Sequence, residues 1–152
     1  MTLEELKKEI AALEDIREIE ELQRNYIIWL DSHQWDKLMD CFAENITVEI
    51  ARPPVTGKEA VAKLFRDDIS KTGSPAGGHI MEHPIIDVEG DKAKGCWTMY
   101  RLFYYFVEPK TISSDFLKGR KEGYQGRYDC EYVREGGKWK FSSILWTRAW
   151  PD

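Results

Sequence analysis

An aspartate set into an apolar stretch is the first sign of chemistry in this chain. Residues 26–36 read YIIWLDSHQWD, and Asp31 closes the run Tyr26, Ile27, Ile28, Trp29, Leu30. A carboxylate buried in such surroundings is expensive unless something pairs with it. Its everyday role is to cap the turn that follows, solvated at a helix end. A chemical role needs a titrating partner, and the chain has three histidines, His33, His79 and His83. A carboxylate that fixes one imidazole nitrogen leaves the other free to move protons near neutral pH. His33 belongs to the turn itself, which faces outward once Asp31 points inward. His79 opens a strand and shares its parity with Met81 and His83, so a regular strand presents all three to one face. Pro84, directly after His83, favours an edge or a bulge at that point.

The elements that must position these groups follow from periodicity. Thr2 and Glu5 form a capping-box pattern, and Leu3, Leu6, Ile10 and Leu13 recur at steps of three and four. Ile16, Ile19, Leu22, Tyr26 and Leu30 continue the stripe, as one long helix or as two that break near Glu14 and Asp15. The first fourteen residues read as a helical arm on a single domain spanning 1–152, packing on the body or on a neighbouring subunit. After the turn at 31–34, Trp35, Leu38, Met39 and Phe42 give a short second helix that ends at Glu44 and Asn45. Ile46, Val48 and Ile50 alternate with polar residues as a half-buried strand, and residues 52–57, with paired prolines, form a loop. Residues 57–68 are a third helix with Val61, Leu64 and Phe65 inward, and residues 71–78, KTGSPAGG, form the clearest flexible loop in the chain. From there the period is two. Strands are expected at 79–88, 93–107, 124–134 and 139–150, with hairpin turns at Gly90–Asp91 and Gly136–Gly137.

Helices followed by a meander of long antiparallel strands define an α+β domain. Strands of more than about ten residues curl, and a curled sheet closed by the N-terminal helices is a cone with an internal pocket. The strand WTMYRLFYYF is apolar on both faces: Trp97, Met99, Arg101, Phe103 and Tyr105 share one parity, and Thr98, Tyr100, Leu102, Tyr104 and Phe106 the other. One face fills the core and the other meets a partner subunit. A pocket lined this way excludes water and suits a ring-bearing or steroid-sized substrate.

Composition excludes several classes. At 152 residues the chain is one domain's length, with 32% charged and 12% aromatic residues, a globular balance. With 22 basic against 27 acidic residues the net charge is −5, and no basic cluster is long enough to track a phosphate backbone, so nucleic acid is not an expected partner. Cys41, Cys96 and Cys130 have neither metal-type nor redox-type spacing and read as reduced structural residues of a cytoplasmic protein. The charged start MTLEELKKEI is unlike a signal peptide, and no run of about eighteen apolar residues marks a membrane span.

The helix ending YIIWLDSHQWDKLMDCFAENITVEI, the segment GKEAVAKLF, the strand HIMEHPIIDVEGDKAKG and the closing YDCEYVREGGKWKF together resemble the SnoaL-like branch of the nuclear transport factor 2 fold. Within it the pattern is most similar to hydro-lyases and related eliminases: scytalone dehydratase, bile acid 7α-dehydratase and hexachlorocyclohexane dehydrochlorinase. The resemblance implies that Asp31 pairs with His79, and that Tyr26 matches a tyrosine one helical turn before the aspartate. It also shows departures. Leu30 stands where the scytalone enzyme has a tyrosine, Phe103 near its second histidine, and Tyr128 at its asparagine. Arg101 stands at the bile acid enzyme's second acidic residue.

The implied chemistry is a cofactor-independent syn elimination on an apolar cyclic hydroxy-carbonyl compound, with no metal. His79 takes a proton beside the carbonyl and returns it to the departing hydroxide, Asp31 orients the ring, and Tyr26 donates to the developing oxyanion. Tyr128, Arg148, Arg101, His83 and Phe103 are the candidate substrate contacts. An isomerase or polyketide-type cyclase would use the same base without losing water. A non-catalytic ligand-binding protein or a dioxygenase small-subunit-like partner needs no contact between Asp31 and His79. The resemblance further implies a homo-oligomer, a trimer packed through the sheet, with a dimer as the alternative.

Overall fold

A computed structural model of the chain describes residues 1–50, 52–72, 77–104 and 121–148. Helix α1 spans Leu3–Asp31 and opens with the expected box: the Thr2 hydroxyl accepts from the Glu5 N–H, and the Glu5 carboxylate accepts from the Thr2 N–H. It runs unbroken past Glu14. Asp15 accepts from the Arg134 guanidinium and, at 3.1 Å, from Trp139 Nε1, so the point where a break was possible is tied to the sheet instead. Ile19, Gln23, Tyr26, Ile27 and Leu30 are the buried face. Residues 1–14 are all exposed.

Helix α2 is Trp35–Asp40, shorter than its apolar pattern suggested. Phe42 and Asn45 belong to β1, Phe42–Ile50, because Phe42 pairs with Phe141 and the Cys41 carbonyl accepts the Phe141 N–H at 2.8 Å. The proline loop contains a two-residue strand, β2, Val55–Thr56. The third helix begins as α3, Lys58–Lys63, widens into a π-helical stretch, Leu64–Ile69, and finishes as α4, Ser70–Thr72. The inward residues are those the periodicity indicated: Val61, Leu64 and Phe65 are buried. Of the loop expected at 71–78, residues 73–76 lie outside the described residues, as do 105–120, while Lys71 and Thr72 close the helix and Gly77 and Gly78 already open the next strand.

Four long strands follow: β3, Gly77–Glu89; β4, Lys92–Tyr104; β5, Lys121–Glu135; and β6, Lys138–Arg148. They pair antiparallel in sequence order, while β1 joins β6 in parallel, giving a six-stranded sheet β2-β1-β6-β5-β4-β3. The helices pack against this curved sheet, so the fold is the mixed α+β architecture expected. Its core joins Tyr26, Leu38, Phe42, Phe65, Trp97, Tyr128, Tyr132 and Phe141. Each such side chain contributes roughly 1.5–3 kcal/mol by leaving water. Between Glu82 and Ile85 the β3–β4 register shifts, and His83 has φ 53°, so the strand carries a bulge at the residue preceding proline.

Candidate active site

The end of α1 and the start of β3 meet at Asp31. One carboxylate oxygen lies 2.6 Å from His79 Nδ1, and the other accepts the His79 backbone N–H at 2.9 Å. With the carboxylate ionised, Nδ1 carries the proton and donates, which leaves Nε2 with the lone pair. The His79 side chain is 8% exposed and that of Asp31 28%. The imidazole is enclosed while the carboxylate keeps an edge toward solvent at the helix end, and that carboxylate is satisfied by two donors.

Gly78 makes the second contact possible. A Cβ at that position would lie 3.2 Å from the Asp31 Oδ2 atom, tighter than side-chain packing ordinarily allows. By sequence alone Gly78 reads only as the end of a flexible loop. The signal was there in the adjacent glycines before His79, but its meaning depends on the approach of a helix end far away in sequence.

Strand register assigns the remaining candidates to faces. His79 pairs with Arg101, and Arg101 with Tyr124, so His79 and Arg101 are direct cross-strand neighbours on one face. The neighbouring rows on that face are Met81, Met99, Gly126 and Arg148, then Trp97, Tyr128 and Trp146. The Trp146 indole lies across Gly126, where a Cβ would fall 2.2 Å from its Nε1 atom. Arg148 shares the face at the far side of β5 and is exposed. Phe103 has the same parity opposite Gly77, and its side chain lies outside the described residues.

Tyr26 and Tyr128 sit deeper. Tyr26 is fully buried, with ring centroids 5.2 Å from Phe141, 6.0 Å from Phe42 and 6.4 Å from Tyr128. No hydrogen bond joins its hydroxyl to Asp31 or His79. Burial, and then the adjacent Tyr128, push its phenol well above the ordinary tyrosine range, so it remains a neutral donor. His83 is exposed on the bulge, bordering a groove of about 330 Å³ with Gln23, Ile27, Met81 and Trp97, and it does not join the Asp31–His79 pair. His33 is exposed in the turn, at φ 57°, stacked on Trp35 with centroids 4.9 Å apart. A larger cavity of about 830 Å³ lies at the hairpin end, lined by residues such as Asn45, Lys92 and Glu135, remote in sequence and register from the pair. Among the described residues no group of three or more His, Cys, Asp or Glu side chains is arranged to hold a metal ion. No described helix is long and apolar enough to cross a membrane.

The chain belongs to the SnoaL-like domain family, whose pattern matches residues 11–144. Among solved structures it is similar to a nuclear transport factor 2-like protein with a cystatin-like fold from Novosphingobium aromaticivorans, at 18% identity and a TM-score of 0.81, over 99% of this chain and 92% of that one. It is also similar to a type 3 hexachlorocyclohexane dehydrochlorinase from Novosphingobium barchaimii, at 19% identity and a TM-score of 0.71, over 93% and 89% of the two chains. A candidate scytalone dehydratase from Novosphingobium aromaticivorans is 21% identical, with a TM-score of 0.70 over 93% and 91%. No curated protein is similar enough in sequence to match. At these identities the likeness establishes the fold, and the chemistry rests on the site.

Proposed function

We propose that this protein is a cofactor-independent hydro-lyase whose base and acid is His79 and whose orienting carboxylate is Asp31. The observation that carries the reading is the two-point contact of Asp31 with the ring and the backbone of His79. In the proposed reaction Nε2 removes the proton beside a substrate carbonyl. The C–H electron pair moves onto the carbonyl oxygen as an enolate. The enolate collapses to a conjugated double bond, expels the β-hydroxide, and the imidazolium returns its proton to that hydroxide as water. Asp31 stabilises the imidazolium between the two steps and keeps the tautomer fixed. The apolar row of Met81, Met99, Trp97 and Tyr128 beside the pair favours a cyclic or aromatic hydroxy-carbonyl substrate.

Three free thiols and the acidic net charge suit a cytoplasmic protein without a nucleic-acid partner. On the outer face of the sheet Ile80, Ile85 and Tyr100 are exposed, which supports association of several copies through that face, a trimer in this reading.

The test is water loss from a panel of cyclic β-hydroxy ketones, followed by product mass. Wild type should release one water, and Asp31→Asn and His79→Ala should fold normally and lose the activity. Full elimination by both variants would rule out the mechanism. A product of unchanged mass would move the assignment to an isomerase or cyclase using the same base.

A further inference from the structure

A base that removes a proton beside a carbonyl leaves an oxyanion, and a general base alone supplies only about two to four orders of magnitude in rate. Something must meet that charge. The Tyr26 hydroxyl is sealed in the core, and the groups that share the His79 face differ sharply in distance. Cross-strand partners have Cβ atoms about 5 Å apart, the position Arg101 occupies relative to His79. Arg148 lies three strands from β3, and at about 4.8 Å per strand it is some 14 Å away, within reach only of the far end of a large substrate. The other close neighbours on the face, Met81 and Met99, carry no charge. Arg101 is partly buried, and a guanidinium presents a positively charged planar fork to an oxygen anion.

From this register we infer that Arg101 is the oxyanion partner of His79, and that the substrate presents a carbonyl oxygen, or a carboxylate conjugated to it, on the β4 side of the imidazole. The inference rests on the elimination reading and deepens it by naming the substrate's recognition group. The division of labour is spatial. Asp31 approaches His79 from the helix side and stabilises the positive charge that forms on the ring, while Arg101 stands on the sheet side, where negative charge forms on the substrate. The pair of charges created by proton transfer is thus flanked by a fixed charge of opposite sign at each end, the arrangement that lowers the cost of separating them.

The experiment uses 4-nitrophenol as an oxyanion probe, read by its phenolate absorbance at about pH 8, so that no turnover is needed. Wild type should bind the phenolate in preference to the phenol, lowering the probe's apparent pKa. Arg101→Met should weaken phenolate binding about tenfold or more, and Arg101→Lys should fall between, since a point charge replaces the fork. Lys94→Met, an equal charge change on the exposed outer part of the sheet, should bind as wild type does. Competition by benzoate but not by benzyl alcohol extends the recognition group to carboxylates, whereas competition by neither confines it to phenolate-like oxygens; both support an oxyanion site. Wild-type affinity in a folded Arg101→Met protein, or equal losses in Arg101→Met and Lys94→Met, overturns the proposal. His79→Ala tests the elimination separately: it abolishes turnover and leaves the Arg101-dependent phenolate binding in place.

Discussion

Asp31 grips His79 at two points, ring Nδ1 and backbone N–H, so one carboxylate sets both the tautomer of the base and the position of the strand that carries it. Removing the charge while keeping the shape separates these jobs. Asp31→Asn should keep the fold and lower elimination by about two to four orders of magnitude, because an amide does not stabilise an imidazolium. The double variant Asp31→Asn with His79→Ala should be no slower than His79→Ala alone, the non-additivity expected of residues acting as a unit. Single-turnover rates on one substrate check this, and additive losses would mean the two act independently.

Gly78→Ala is the quieter test of the same geometry. Its new methyl would meet the Asp31 carboxylate at 3.2 Å, so the oxygen that accepts the His79 N–H must shift by a few tenths of an ångström. Turnover should fall at least tenfold with little change in thermal midpoint, since the strand is an edge and its ladder to β4 is untouched. Unchanged kcat would show that the second contact is dispensable.

Much of this arrangement was legible in the residues. The stripe from Ile19 to Leu30, the capping box at Thr2 and the period of two after His79 all express local rules, and the structure follows them. The resemblance of the YIIWLDSHQWD segment and the HIMEHP strand to the eliminases implies the meeting of Asp31 and His79. What local rules do not encode is long-range pairing. Phe42 looks like the last apolar residue of a helix until Phe141 arrives beside it, and His83 shares parity with His79 until the bulge before Ile85 breaks it. Tyr26 lies within two turns of Asp31, yet its side chain follows the core stripe, and the helix turn between them sends the two groups to different surroundings.

A buried polar chain offers a stability test away from the site. Tyr132 OH donates to Gln23 Oε1 at 3.1 Å and accepts from Trp97 Nε1 at 2.9 Å. Tyr132→Phe leaves both neighbours without this partner and should cost about 1–3 kcal/mol. Gln23→Leu should cost less, because it also removes the Gln23 Nε2 amide, which is buried and makes no hydrogen bond among the described residues. Urea unfolding of the two variants checks the order; a Gln23→Leu protein weaker than Tyr132→Phe contradicts it.

The last expectation concerns alkaline pH. Burial pushes the Cys41 thiol up to about 12 and raises Cys130 further, and it holds the Tyr26 and Tyr132 phenols well above their ordinary range. In the unfolded chain the same thiols and phenols are half ionised at about pH 8.5 and about pH 10 respectively. Between those values and the folded ones the unfolded state binds fewer protons, so stability falls as pH rises. The contribution is complete below about pH 8 and is lost progressively above pH 9. The urea midpoint should therefore decline between about pH 8 and pH 10.5, and Cys41→Ala and Cys130→Ala should each flatten the decline even where they lower stability at neutral pH. A midpoint that stays constant across this range would mean that these groups ionise in the folded protein as readily as in the unfolded chain, which their packing around Phe42, Phe141 and Ile144 opposes.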